Sequence, residues 1–252
     1  MNNKRKRRLI DICLILIVLI LVGSGLVLFK ESKEAYAIKK EDEEIKTIVK
    51  QNTNIEKGFD RDTFNALKEI NDDLIGYIEF ESGIIAQPIL KGDNNEQYLR
   101  KSFNGNNSSQ GSIFMDYQYS FDDQNPIVYG HNVLYDNTAK FSPLAKLLNQ
   151  EFYDKNYRFK IYTENEIRNY LITDVYVFDT EEFESFNYIK PNFEDKDDFD
   201  NWYSVVRELN VIQSVNTNIN ANSKMITLQT CKSLNGPERI IVLAVLDSVE
   251  NY

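Results

Sequence analysis

Residues 9–29, LIDICLILIVLILVGSGLVLF, form an apolar run of 21 residues broken only by Asp11 and the step Gly23-Ser24-Gly25. As a helix rising about 1.5 Å per residue, this run spans roughly 30 Å, the thickness of a bilayer core. Lys4, Arg5, Lys6, Arg7 and Arg8 precede it. Basic flanks stay on the cytoplasmic side, so the sequence predicts that everything after Lys30 lies outside the cell. A cleaved signal peptide is the competing reading, since Ala35-Tyr36-Ala37 offers a small-x-small site. The run is longer than the roughly 7 to 15 apolar residues of such a peptide, and charged residues separate it from that site, so an uncleaved anchor is expected. The layout is then a cytoplasmic segment at 1–8, a single-pass signal anchor at 9–29, an extracellular helical stalk at 30–58 and a globular domain at 59–252.

The net charge of −10 hides a split, because from residue 30 on 24 basic residues stand against 38 acidic ones. Such a surface repels nucleic acid and anionic lipid, and neither is expected as its partner. With 42% apolar and 12% aromatic residues the outer part can bury a sizeable core. Residues 31–57 are rich in Lys and Glu with Ile45, Ile48 and Val49 on one stripe, and a second helix is expected from Asp62, where Phe64, Leu67 and Ile70 recur. Short β-branched and aromatic runs follow, and strands are expected at 74–80, 84–90, 112–116, 126–130, 158–163, 169–178, 224–230 and 239–247. Two helices interrupt the series. The first starts with Ser142 as N-cap and Pro143 behind it; the second covers residues 194–209, with Phe199, Trp202, Tyr203, Val206 and Leu209 on its apolar stripe. Many strands with few helices predict a mainly β fold, a closed barrel with helical insertions. The acidic stretch at 194–200 reads as the solvated first turn of its helix, not as a cation site, because it lacks an ordered ligand spacing.

Of two cysteines, Cys13 lies inside the apolar run, which leaves Cys231 as the one thiol of the outer domain. A lone exported thiol has no disulfide partner, so it is either a small buried hydrophobe or a reactive group. The chain's single histidine, His131, follows an apolar strand and a glycine in PIVYGHN. Cys231 ends the alternating strand MITLQTC, and Arg239 opens RIIVLAVL eight residues later. Taken alone, the histidine is as readily structural and the arginine a surface charge. Joined, they meet the needs of acyl transfer: a thiol, an imidazole to carry its proton, and a guanidinium that stays charged beside a developing oxyanion. The segment 232–238, with Asn235-Gly236-Pro237, reads as a loop that returns the chain and sets Arg239 beside Cys231 on adjacent antiparallel strands.

The outer domain resembles the class B sortases through FNALKEINDDLIGYIEF, QPILKGDNNEQYLRKSF, GSIFMDY, IVYGHN and TLQTC followed by Arg239. The resemblance implies an eight-stranded sortase-type barrel with N-terminal helices and a helix before the cysteine strand, making 59–252 the catalytic domain of a Gram-positive cell-wall enzyme. It implies that Cys231 attacks a Thr peptide bond in the C-terminal sorting motif of an exported protein and that an amine of peptidoglycan or its precursor resolves the thioester. His131 then moves the protons and Arg239 holds the oxyanion, with no cofactor and no metal. Asn95, Leu99, Tyr129, Gln229 and Thr230 are the candidate substrate-binding residues. Gln229 stands where Ser is common in the family, and Lys232 where an acid often follows the cysteine. A secreted thiol hydrolase of papain-like logic fits less well, because that family places Cys before His and adds an orienting partner. A non-catalytic, membrane-tethered binding domain with a buried thiol is the other alternative.

Overall fold

The computed structural model describes residues 3–53, 58–133, 136–183, 186–215, 218–233 and 236–252. The chain forms two compact units, Met1–Lys46 and Thr47–Tyr252. Helix α1, Asn3–Asn52, is a single helix of 50 residues, so the expected anchor and stalk are continuous through the Gly-Ser-Gly step. Ser24 donates its hydroxyl to the Leu21 carbonyl 3.0 Å away. From Ile12 to Phe29 its large apolar side chains are exposed, and the apolar window has a mean hydropathy of 3.2, enough by length and composition to cross a membrane. Residues 54–57, where the expected stalk ends, lie outside the described residues.

Helix α2, Arg61–Lys68, begins at Asp60, whose carboxylate accepts from the Thr63 N–H at 3.0 Å, a cap worth about 1 kcal/mol. It buries Phe64 and Leu67, each stabilising the fold by roughly 1.5–3 kcal/mol. Eight strands follow: β1 Leu74–Phe80, β2 Ala86–Leu90, β3 Ile113–Met115, β4 Ile127–Tyr129, β5 Arg158–Tyr162, β6 Glu166–Asp179, β7 Met225–Cys231 and β8 Glu238–Asn251. They close into a barrel in the order β1-β2-β3-β4-β7-β8-β6-β5, with β5 returning to β1. All eight expected strands are present, β6 and β8 longer than predicted and β3 and β4 trimmed to three residues each.

The expected helix at Ser142 differs in kind. Ser142–Leu148 is a 3₁₀ segment, and a separate helix α3, Gln150–Asn156, follows with Asn149 as its N-cap. The Ser142 hydroxyl instead accepts from the Val133 N–H at 2.7 Å, tying the segment back to the β4 exit. Phe141, Leu144 and Leu147 are fully buried in the same core as Val128, Leu228 and Val242 of the barrel strands. Helix α4, Lys196–Leu209, is capped by Asp195 and lays Phe199, Trp202 and Val206 against Tyr176, Met225, Ile241 and Leu243. Strand β7 is therefore buried on both faces: Ile226 and Leu228 look into the barrel, and Met225 looks toward α4.

Two neighbouring pairs, β2 with β3 and β4 with β7, are parallel, and the other pairs are antiparallel. A parallel neighbour cannot be reached by a hairpin, so each such pair demands a crossover. The crossover at 91–112 carries the 3₁₀ turn Gln97–Leu99, and the β4-to-β7 connection carries β5, β6 and the three segments that pack on the barrel. Because β4 and β7 run the same way, they finish at the same end of the barrel. Strand β8, antiparallel to β7, starts there.

Candidate active site

That shared end gathers the residues with chemistry. Cys231 is the last residue of β7 and is paired in register with Arg239 of β8. Both belong to the face that carries Met225, Ile241 and Leu243, outside the barrel, because side chains alternate along a strand. His131 sits two residues beyond β4, and its neighbour Asn132 donates its side-chain amide to the Cys231 carbonyl at 2.9 Å. The Gly130 N–H donates to the Gln229 carbonyl at 3.1 Å, extending the β4–β7 ladder to the foot of the histidine. A Cβ at Gly130 would lie 2.6 Å from the buried Phe141 ring, so this position has no room for any side chain. The loop returns through Asn132 and Lys140, and the Phe141 N–H donates to the His131 carbonyl at 3.2 Å.

The imidazole of His131 donates Nε2–H to the Leu99 carbonyl, 3.0 Å away. Burial pushes its pKa below the ordinary value of 6.5, the positive charge of Arg100 acts in the same direction, and the Leu99 bond opposes both. The balance favours the neutral imidazole. Leu99 itself is held from behind: Gly111, at φ 55°, sits so close that a Cβ there would lie 2.7 Å from the Leu99 oxygen. Arg239 donates from Nη1 to the carbonyls of Gly236 at 2.8 Å and Glu238 at 3.1 Å. Its Nε and Nη2 make no hydrogen bond among the described residues. The expected return loop is present, closed by the Lys232 N–H donating to the Glu238 carbonyl at 3.0 Å; Asn235 lies outside the described residues. Lys232 pairs through Nζ with the Glu238 carboxylate at 2.6 Å. Both ends are exposed, which limits the pair to about 1 kcal/mol or less.

The other candidate positions fall into two groups. Tyr129 pairs in register with Gln229, two residues short of Cys231 on the same face, and its ring lies 5.3 Å from that of Phe114. Asn95, on the 91–112 crossover, is bonded to the Asp116 carboxylate, which also receives the Tyr129 hydroxyl. The Leu99 side chain is exposed. Thr230 is different: it shares the parity of Ile226 and Leu228, points into the barrel and is only 1% exposed. Its hydroxyl and the Gln229 Oε1 atom are buried without a hydrogen-bond partner among the described residues. Sequence reasoning missed Asp116, Asn132 and Tyr188. Burial raises the pKa of the Tyr188 phenol, the charge of Arg239 partly offsets this, and Cys231 adds to the rise.

Residues 78–247 match the family described as Sortase domain, and the chain is 31% identical over 193 residues to sortase B of Staphylococcus aureus, covering 75% of this chain and 76% of that one. The chain belongs to the class B sortases. Sortase B of Listeria monocytogenes is also 31% identical, over 68% of each chain. The structure of the Staphylococcus aureus sortase B–substrate complex superimposes with a TM-score of 0.71 at 25% identity, covering 88% of this chain and 99% of that one. Clostridium perfringens sortase B gives 0.65 at 30% identity, covering 73% and 99%. The barrel is thus the sortase barrel, and this sortase is a cysteine transpeptidase that cleaves sorting signals. The readings as a hydrolase and as a non-catalytic binding domain are set aside by that membership.

Proposed function

We propose that Cys231 is the nucleophile of this sortase, His131 its proton carrier and Arg239 the donor to the oxyanion. One observation carries the assignment: Cys231 and Arg239 face each other across β7 and β8, while the His131 loop is tied to the same strand end through the Asn132 bond to the Cys231 carbonyl. In the first step His131 takes the thiol proton, and the sulfur attacks the carbonyl carbon of a Thr peptide bond in the sorting motif. Arg239 holds the oxygen as it gains charge. His131 passes its proton to the departing amine as the C–N bond breaks, leaving a thioester. An amine of peptidoglycan or its precursor then attacks the thioester, His131 accepts its proton, and the C–S bond breaks to release the joined product. Asn95, Leu99, Tyr129 and Gln229 line the peptide groove, and Thr230 supports the strand beneath Cys231.

The apolar part of α1 supports a single-pass anchor with residues 1–8 in the cytoplasm and the catalytic unit outside, where exported substrates and wall peptides meet it. The direct test is mass spectrometry of the enzyme after incubation with a Thr-containing sorting peptide. An acyl adduct on Cys231 that disappears when an amine is added, with a new peptide–amine product, is the expected result. No adduct from a broad peptide library, or an unchanged adduct in Cys231→Ala, would overturn the assignment.

A further inference from the structure

Asp116 is 4% exposed, and among the described residues every hydrogen bond to its carboxylate comes from an incoming donor. Its Oδ2 accepts from Asn95 Nδ2 at 2.7 Å and from the Tyr129 hydroxyl at 2.9 Å; its Oδ1 accepts from the Gln118 N–H at 3.0 Å. An ionised carboxylate accepts only, so both side chains are forced to turn a hydrogen toward it. Asn95 is pinned from its other side as well, because its Oδ1 accepts from the Tyr117 N–H at 3.0 Å. The amide therefore has one fixed orientation, with one N–H and one lone pair left to face outward. Tyr129 is held as a donor to Asp116, its oxygen lone pairs remaining free.

Asp116 does not touch the reacting atoms. Its N–H donates to the carbonyl of Ile127, which pairs with Thr227, four residues before Cys231 on β7. At about 3.3 Å per residue, that is roughly 13 Å along the strands. We propose that Asp116, itself remote from the thiol, is a positioning residue that presents Asn95 and Tyr129 as a preorganised polar end of the peptide groove. The proposal rests on Asn95 and Tyr129 belonging to that groove. A prepositioned amide costs the incoming peptide no ordering, whereas a free one must be frozen on binding.

The test separates peptide capture from chemistry. For wild type, Asp116→Ala, Asp116→Asn, Asn95→Ala, Tyr129→Phe and the double variant Asp116→Ala/Asn95→Ala, three quantities are measured: kcat and KM with a sorting peptide, the rate of Cys231 alkylation by iodoacetamide without peptide, and the melting temperature. Removing a charge-assisted anchor is expected to raise KM about tenfold in Asp116→Ala while alkylation stays within about twofold of wild type. Asp116→Asn keeps one acceptor oxygen and is expected to fall between, and it carries the test if the Ala variant does not fold. The double variant is expected to be no worse than the poorer single one, because both act through the same amide. Unchanged KM in Asn95→Ala and Tyr129→Phe removes the groove reading and the proposal with it. Raised KM in those two with wild-type KM in both Asp116 variants, or additive losses in the double variant, overturns the role of Asp116 alone. Alkylation slowed in step with turnover overturns it too, since the carboxylate would then be supporting the reacting end.

Discussion

A carbonyl oxygen has lone pairs and no proton, so the Nε2 atom of His131 that lies 3.0 Å from the Leu99 oxygen must carry the hydrogen. The neutral ring then keeps its lone pair on Nδ1, and on the role proposed for His131 the Leu99 backbone would orient the imidazole as a carboxylate or amide side chain does in other thiol enzymes. As the chain has one histidine, a ¹⁵N-histidine spectrum contains one pair of ring signals. A protonated Nε2 and an unprotonated Nδ1 are expected at pH 8, and the reverse pattern would remove Leu99 from this role. The lowered pKa has a sign for stability as well. In acid the unfolded chain takes up the proton first, so this contribution is complete above the ordinary value of 6.5 and is lost as pH falls through the folded-state pKa. Urea titrations across that window are expected to show a stability loss in wild type that His131→Gln lacks. Arg239 has its Nη1 already given to Gly236 and Glu238, which fixes the plane of the guanidinium and frees the other edge. A lysine keeps the charge without the fork, so Arg239→Lys is expected to lower turnover by about 10²- to 10³-fold with the melting temperature nearly unchanged. Near-normal turnover would reduce Arg239 to a generic charge.

The connection from β4 into the 3₁₀ segment Ser142–Leu148 is the element on which His131 depends, and its tightest point is Gly130 against Phe141. The Phe141 ring is fully buried and cannot swing aside. Gly130→Ala is expected to cost about 1–3 kcal/mol of stability, as overpacking of a close-packed core does. Because the strain falls on the loop that holds the imidazole, turnover at a temperature where the variant is fully folded is expected to fall as well. Wild-type turnover in a destabilised Gly130→Ala would show that the loop relaxes without moving His131. This part of the chain was also the hardest to read in advance. Pro143 behind Ser142 is an ordinary helix start, yet the Ser142 hydroxyl is taken by the Val133 N–H, and the cap position passes to Asn149. The strands were legible because alternation survives burial, and Cys231 with Arg239 was legible because one short loop joins adjacent strands. Asp116 was not: its partners lie 21 residues before it and 13 after, and only the β3–β4 register and the crossover bring them together. Leu99 was expected only as a substrate-binding residue, while its backbone oxygen, which has no sequence signature, is what reaches His131.

On the scale of the whole molecule, the long apolar surface of α1 and the closed barrel call for different solvents. A chain beginning at Lys33 is expected to stay in the aqueous phase of a detergent phase separation and to retain transpeptidation, while the full chain moves to the detergent phase. Full-length protein released to the medium and trimmed after Ala37 would mean a cleaved signal peptide in place of an anchor. Strand β8 is the final strand in chain order, yet it sits between β6 and β7 in the barrel. Without β8, strand β7 has a partner on one side alone, and Cys231 has no Arg239 in register with it. Barrels with such distant pairings fold over roughly milliseconds to seconds. On the roles proposed above, a barrel without β8 holds the thiol but not the guanidinium, and so has no donor for the oxyanion.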